Sequence, residues 1–212
     1  MKTPDLAARI VAEVKKAVSF PVFVKFRTGW QDDPAPAVEL ARQFEDAGAD
    51  ALTFHPRVAP DRRSRPPRWE YIGMVKAAVS IPVFGNGDVF DANDSRNMLQ
   101  RTGCDGVAIG RMAVAKPWIF AMLSNGFQPK TDIYSETATA LIQLLEKHYD
   151  PVLAVRRFKK FALYFSANFK FGHTFYTRIF NAKDMEAVRN FLYRFFEEPP
   201  DVVSRPNMNF FL

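Results

Sequence analysis

Cysteine is almost absent from this 212-residue sequence, which contains only Cys104. One thiol cannot form a disulfide within the chain, so the sequence favours a protein of a reducing compartment. Long apolar runs are also missing, whereas a membrane-spanning helix needs about 20 apolar residues in succession. The first residues are amphipathic and charged, unlike the apolar core of a secretion signal. We therefore expect a soluble, cytoplasmic protein.

Several familiar functional signatures are missing as well. The sequence has neither GxGxxG nor GxxxxGK[ST], the glycine-rich patterns of dinucleotide and nucleoside triphosphate sites. Its His, Cys, Asp and Glu residues show no metal-site spacing, so no metal ion is predicted. No Ser-His-Asp set can be assembled either.

Acidic residues are scarce in two places. The chain has 29 basic and 23 acidic residues, but no Asp or Glu occurs from Pro151 to Ala182. Six cations fall within that segment: Arg156, Arg157, Lys159, Lys160, Lys170 and Arg178. A second run consists of Arg57, Arg62, Arg63, Arg65 and Arg68, with Asp61 as its only acid. Such a surplus suits a polyanionic partner, although many proteins of this charge bind no nucleic acid.

Helical and strand patterns alternate along the first part of the chain. Helices are predicted at 5–18, 37–47, 69–79 and 93–101, and strands at 22–26, 51–55, 81–84 and 106–109. This order predicts a parallel sheet covered by helices. A repeat of roughly 25–30 residues matches a (β/α)8 barrel, but a doubly wound sheet gives a similar local pattern.

The pattern changes after Lys130. Residues 135–149, 152–165 and 184–196 predict helices with no strand between them, and the proline-containing tail 199–212 predicts irregular structure. We therefore expect one domain over 1–130 and an all-helical domain over 131–212.

Polar residues stand at the ends of all the predicted strands. They are Lys25 and Arg27, His55 and Arg57, Asn86 and Asp88, and Gly110 and Arg111. Carboxyl ends of parallel strands meet at one end of the sheet, where barrel enzymes build their active sites. The segments 85–88 and 109–111 either cradle a phosphate through backbone N–H groups and the arginine, or simply form tight turns.

Each of these residues also has a simpler interpretation. Lys25 could be a salt-bridged lysine, and His55 a satisfied core histidine. Cys104 precedes a strand rather than following one, so we interpret it as a small buried residue and not a nucleophile. The cations Arg156, Arg157, Lys159 and Lys160 predict a phosphate-contacting surface, against a merely solvated basic face.

Four segments together resemble the dihydrouridine synthase family in order and spacing. They are Val24-Lys25-Phe26-Arg27-Thr28-Gly29-Trp30, the run from Ala47 to Arg57 through Thr53-Phe54-His55-Pro56, Gly85-Asn86-Gly87-Asp88-Val89, and Gly103 to Arg111 followed by Lys116-Pro117-Trp118. The resemblance extends more loosely through Arg156 to Phe165. It implies the second half of a (β/α)8 TIM barrel, with four parallel βα units, followed by a helical domain that binds tRNA.

The resemblance also implies cofactors and site residues. FMN would lie at the mouth of the barrel, NADPH would reduce it, and a uridine of tRNA would become 5,6-dihydrouridine. Lys25 and His55 would lie beside the flavin ring, and Asn86, Gly87, Asp88, Gly110 and Arg111 would hold the phosphate end. Arg57, Arg62 and Arg63, with Arg156, Arg157, Lys159, Lys160 and Arg178, would contact tRNA.

The sequence departs from the family pattern in two respects. Pro56 stands where the family has a small residue, and the family's Asn-x-Gly-Cys-Pro segment with its acid cysteine does not occur, so no catalytic residue is predicted in this chain. Three alternatives follow: a non-catalytic RNA-binding remnant, a half-barrel that needs a partner or self-association, and a small-molecule FMN enzyme. The basic helical extension disfavours the last.

Overall fold

A computed structural model describes residues 3–61 and 65–207. The chain divides into two compact units, Met1–Gly110 and Arg111–Leu212. This division falls earlier than the domain boundary at residue 130 that the sequence predicts. The reason is that helices α5 (Arg111–Ala115) and α6 (Ile119–Asn125) belong with the helices that follow, since α5 packs on α8 (Pro151–Phe165).

The first unit is an α/β structure with one parallel sheet. Its helices are α1 (Pro4–Ala17), α2 (Ala35–Asp46), α3 (Glu70–Ala78) and α4 (Ala92–Thr102). Its strands are β1 (Phe23–Gly29), β2 (Ala51–Val58), β3 (Val83–Asn86) and β4 (Gly106–Ala108), paired in the order β1-β2-β3-β4. All pairings are parallel, which confirms the predicted βαβ alternation.

The two faces of the sheet differ in chemistry because side chains alternate along each strand. Phe26 and Phe54 lie on the face that the helices cover, and they pack with Phe44 of α2. The other face presents Lys25, Arg27, His55 and Asn86 at neighbouring positions, since Arg27 is paired with His55 in register. The unit thus has one apolar face that the helices cover and a second face that is polar toward the carboxyl ends of the strands.

Two aspartates fasten the amino ends of the strands. Asp50, just before β2, accepts hydrogen bonds from Lys15 Nζ (2.6 and 2.8 Å) and from the backbone N–H of Val22 (2.7 Å). Asp105, just before β4, repeats this arrangement with Lys76 Nζ (2.8 Å) and the N–H of Val83 (2.8 Å). The segments Gly48-Ala49-Asp50 and Gly103-Cys104-Asp105 are therefore equivalent positions of two βα units. They tie each strand to its neighbour at the end opposite the polar strand ends.

The second unit consists of helices joined by irregular segments, and among its described residues the β-structure is an isolated bridge between Phe169 and Val202. Beyond α6 its helices are α7 (Ile133–His148), α8, α9 (Gly172–Phe180) and α10 (Met185–Phe195). The sequence did not predict α5, α6 or α9. Phe158, Phe165, Phe169 and Phe175 form the centre of the core. None of the helices in the described part of the chain is long and apolar enough to cross a bilayer.

We expect the hydrogen bonds and ion pairs of Asp50 and Asp105 to make the stability of the fold fall at acid pH. The pKa of the Asp105 carboxyl lies below its usual value because Lys76 and the Val83 N–H bind its charged form. Its stabilising contribution is therefore complete above the unfolded-state pKa of about 3.9 and is lost as the pH falls through the lower folded-state pKa. Asp105→Asn should lower the urea midpoint at pH 7 and weaken its dependence on pH below about 4.

The matched control is Asp46→Asn, at an exposed position of α2 where the carboxylate has no ion-pair or hydrogen-bond partner among the described residues. It should leave both the midpoint and its pH dependence close to those of the wild type. If Asp105→Asn behaved like Asp46→Asn, the contacts of Asp105 with Lys76 and the Val83 N–H would contribute nothing to stability.

Candidate functional site

Asn86 joins three strands at their carboxyl ends. Its side-chain Oδ1 accepts a hydrogen bond from Lys25 Nζ on β1 at 2.9 Å. Its Nδ2 donates to the carbonyl oxygen of Ala108 on β4 at 2.6 Å. Because β3 lies between β2 and β4, the Lys25 side chain reaches across β2 to make this contact. Two of the predicted site residues are thus in direct contact.

Positive charge is concentrated beside Asn86. Partial burial, together with the neighbouring charge of Arg27, lowers the pKa of the Lys25 ammonium. No carboxylate forms an ion pair with Lys25 or Arg27 in the described part of the chain. Two cations on one face without an acidic partner suit a bound anion, which would relieve their mutual repulsion.

The backbone at Gly87 packs directly against His55. Gly87 has a φ of 122°, and the next residue, Asp88, has a φ of 53°. A Cβ atom at Gly87 would lie 2.9 Å from His55 Cδ2, so only glycine permits this approach. The turn therefore brings the Gly87 backbone and the His55 imidazole ring into contact.

Two further side chains fix this turn. The indole Nε1 of Trp69 donates to the carbonyl oxygen of Gly87 at 3.0 Å. Arg57 Nη2 lies 3.3 Å from each carboxylate oxygen of Asp88. Trp69 was missed by sequence reasoning, because nothing in the sequence distinguishes it from a core residue that starts a helix.

The structure places Arg57 inside the first unit rather than on its surface. The side chain is 4% exposed, and its Nε has no hydrogen-bond partner. β2 continues beyond the predicted end at residue 55 to Val58, which carries Arg57 into the interior. Its ion pair with Asp88 supports the turn, and the burial disfavours the predicted contact with tRNA.

A second ionic group connects the loops at the same end of the sheet. Arg68 Nε lies 2.6 Å from Asp32 Oδ1, and its Nη1 lies 2.7 Å from Asp61 Oδ2. The hydrogen bond from Arg68 holds the pKa of the Asp61 carboxyl below its usual value. Tyr71 also donates to Asp32 at 2.9 Å. These contacts join the loops after β1 and β2, and no pattern in the sequence indicates them.

The remaining predicted site residues lie at the end of the first unit, at the start of the second unit, or outside the described residues. Gly110 ends the first unit, and a Cβ atom there would meet nothing within 4 Å. Arg111 is the first residue of α5 in the second unit. Arg62 and Arg63 lie outside the described residues. Among the residues described, no group of three His, Cys, Asp or Glu side chains could hold a metal ion.

The predicted tRNA-binding cations of α8 fall into two kinds. Arg156 and Lys160 are exposed and have no acidic partner in the part of the chain that the structure describes. Arg157 is also exposed, and its guanidinium lies 4.3 Å from the centre of the Tyr149 ring. Lys159, by contrast, donates to the carbonyl oxygen of Ala182 at 2.7 Å and so links α8 to the end of α9. We call Arg156, Arg157 and Lys160 the basic face of α8.

Comparison with known proteins identifies relatives for most of the chain. The family model described as dihydrouridine synthase matches residues 1–194. The tRNA-dihydrouridine synthase B of Pseudomonas aeruginosa is 32% identical over 205 residues, covering 93% of this chain and 62% of the relative. That of Pseudomonas syringae pv. tomato is 32% identical over 194 residues, with coverages of 88% and 58%. That of Pectobacterium carotovorum is 41% identical over 125 residues, with coverages of 59% and 39%. The chain thus spans only part of the length of the relatives it matches.

We predict that Arg57 and Asp88 are energetically coupled. In a double-mutant cycle with Arg57→Met and Asp88→Asn, the coupling in the free energy of unfolding should be about 0.5–3 kcal/mol. The physical reason is that either single change removes this ion pair and leaves the other charge, buried or half-buried, with less compensation. Urea denaturation of the four proteins measures this coupling.

The exposed pair Lys16 and Glu13 of α1 provides the control cycle. Its coupling should be close to zero, since water screens exposed charges. Additive effects of the Arg57 and Asp88 changes would show that the ion pair does not support the turn.

Proposed function

This chain belongs to the dihydrouridine synthase family, and we propose that it contributes FMN-binding and tRNA-binding parts of an enzyme that reduces uridine to 5,6-dihydrouridine in tRNA. In this proposal the first unit supplies the second half of a (β/α)8 barrel. The contact between Lys25 and Asn86 at the carboxyl ends of the strands carries the proposal. The curated relatives described above support its reaction, since each is called a tRNA-dihydrouridine synthase.

The residues at the strand ends fit FMN. A flavin ring needs a hydrogen-bond donor at its polar edge, and in this proposal Lys25, positioned by its hydrogen bond to Asn86, supplies that donor. The phosphate needs several N–H donors and positive charge, which a turn with two successive positive φ values can present. We assign the ring edge to Lys25 with His55 beside it, and the phosphate end to Asn86, Gly87, Asp88, Gly110 and Arg111.

When bound, FMN that has been reduced by NADPH would supply the hydride that uridine accepts at C6. The chain's own residues would then act by position and charge. The Lys25 ammonium would favour negative charge on the ring edge that it contacts. Gly87 would keep His55 at a fixed distance from the turn, and the Arg57–Asp88 pair would keep the turn in shape.

The proton for C5 requires a separate donor. Cys104 is buried, and its thiol donates to the carbonyl oxygen of Gly106 at 3.3 Å. It lies before β4, at the amino end of that strand, whereas Lys25 and Asn86 meet at the carboxyl ends. We therefore exclude Cys104 as the acid, and the proposal places the proton donor outside the residues described here.

The second unit would hold the tRNA. The basic face of α8 presents three exposed cations in a segment that contains no acidic residue. Phosphate oxygens of a nucleic acid would replace the missing acidic partners. The exposed Arg178 on α9 would extend this surface, whereas Lys159 is engaged with Ala182.

A half-barrel that needs a partner is the second candidate, and one observation favours it. Within the first unit the helices pack on one face of the sheet, and Phe23 on the other face is 60% exposed. Phe23 stacks on Phe84 with ring centres 5.9 Å apart, so this face is apolar at its amino end. A second copy of the chain or another half-barrel would bury that surface.

We predict that flavin binding depends on Lys25. Titration of FMN with the 212-residue chain should show saturable quenching of flavin fluorescence, and Lys25→Met should weaken the affinity by about 10–100-fold. This range corresponds to losing a charge-assisted hydrogen bond of about 1.5–3 kcal/mol.

Lys16→Met is the matched control, because it removes a lysine whose described partner is Glu13 on the same helix. Its affinity for FMN should equal that of the wild type. Equal affinities for Lys25→Met and wild type, or no saturable quenching by the wild type, would contradict the assignment.

A further inference from the structure

A cleft in the second unit is lined by Arg178 but by none of the three residues of the basic face of α8. It lies between α9 and α10 and has a volume of about 720 Å³. Its rim carries four exposed polar side chains, Arg178, Asn181, Asn190 and Arg194, and its floor includes the half-buried ring of Phe191. Ligand sites in proteins commonly have volumes of about 300–1,000 Å³. The cleft is therefore large enough for a nucleotide.

The floor of the cleft is firmly supported. The ring of Phe191 meets Phe175 edge to face with centres 5.4 Å apart and lies 5.8 Å from Phe195. Phe175 is 1% exposed in the centre of the core, so Phe191 rests on a rigid base. Helix α10 is also fixed at its start, where Asp184, which does not line the cleft, accepts a hydrogen bond from the Ala187 N–H at 2.8 Å. The aromatic surface is thus held in place before any ligand binds.

The charge of the cleft is positive. No carboxylate lines it, and neither Arg178 nor Arg194 forms an ion pair within the described residues. Glu197 and Glu198 do not line the cleft, but they border an adjoining hollow that shares Arg194 and Phe195 with it. The ammonium of Lys159 lies 2.7 Å from the carbonyl oxygen of Ala182, which adds a third cation next to the cleft. A ligand that carries negative charge is favoured.

This combination distinguishes an unstacked nucleotide from other anions. Guanidinium groups bind phosphate oxygens in pairs of hydrogen bonds, amides pair with the edges of bases, and an aromatic ring offers a surface on which a base can stack. A duplex hides its base faces, and an acidic peptide has no use for an aromatic floor rimmed by two amides. We propose that the cleft between α9 and α10 binds one unstacked nucleotide of a single-stranded RNA segment.

The proposal rests on the proposed function in one respect, since it takes the second unit to be an RNA-binding unit. It goes further by naming a site, a ligand class and the side chains that read it. It also separates two contributions: the basic face of α8 attracts the phosphate backbone, and the α9–α10 cleft takes up a base.

The test compares three fluorescein-labelled probes by anisotropy with the 212-residue chain: a short single-stranded RNA, the same strand with abasic sugars, and its duplex. Phe191→Leu should weaken binding of the base-bearing strand about tenfold, since base stacking on an aromatic ring is worth about 1–3 kcal/mol. It should not change binding of the abasic strand or the duplex. Arg178→Gln with Arg194→Gln should weaken binding of both single strands.

Two further variants test whether weaker binding reflects the cleft itself rather than the loss of any aromatic ring on α10 or damage to the core. Tyr193→Leu removes an aromatic ring of the same helix that is 74% exposed and does not line the cleft, so it should bind all the probes like the wild type. Asn190→Asp changes an exposed rim residue without disturbing the core, and its added negative charge should weaken single-strand binding. Far-ultraviolet circular dichroism confirms that each variant is folded.

The outcomes also distinguish this proposal from the proposed function. If Arg156→Glu with Lys160→Glu abolishes tRNA binding while Phe191→Leu and Asn190→Asp bind every probe like the wild type, the cleft proposal is wrong and the RNA-binding assignment stands. If the wild type binds no RNA, both are wrong. Weakening of the duplex and the single strand by the same factor in the cleft variants would also overturn the proposal.

Discussion

The side-chain amide of Asn86 is the contact on which the first unit's site depends. It accepts from Lys25 Nζ and donates to the carbonyl oxygen of Ala108, so one residue of β3 positions a cation of β1 and the end of β4. The turn that follows is then held by Trp69 and Arg57. A parallel sheet leaves the carbonyl and N–H groups at its strand ends without strand partners, and this site uses them.

The two ends of the parallel strands have different roles. Contacts that stabilise the fold lie at the amino ends, and the candidate binding site lies at the carboxyl ends. At the amino ends, Asp50 and Asp105 each link a helix lysine to the backbone of a neighbouring strand, while Glu45 accepts from the N–H groups of Ser80 and Ile81. At the carboxyl ends, Arg57 and Arg68 are paired with aspartates, but Lys25 and Arg27 have no carboxylate partner among the described residues. These two cations are the positive charge that the proposed anionic cofactor would meet.

The sequence was sufficient for the order of strands and helices in the first unit, because short apolar strands alternate there with amphipathic helices. It also singled out Lys25, His55, Asn86 and Gly87, since polar residues and glycines after a strand are conspicuous. It could not reveal the burial of Arg57, which depends on β2 continuing to Val58. Helix α9 was missed as well, although Gly172, Phe175 and Ile179 form a buried stripe at helical spacing, because the exposed Phe171 and Phe180 at its ends obscure that pattern in the sequence. The roles of Trp69 and Arg68 depend on tertiary contacts that no local pattern records.

The position of the flavin is the central claim, and hydrogen–deuterium exchange of the 212-residue chain with and without FMN tests it most directly. Backbone amides lose exchange where a ligand covers or hydrogen-bonds them. We predict protection at the carboxyl ends of β1 and β2, around Arg27 and His55, and in the turn at Gly87 after β3, with no change around Ala49 or Cys104 at the amino ends. Protection confined to the amino ends, or none anywhere at saturating FMN, would contradict it.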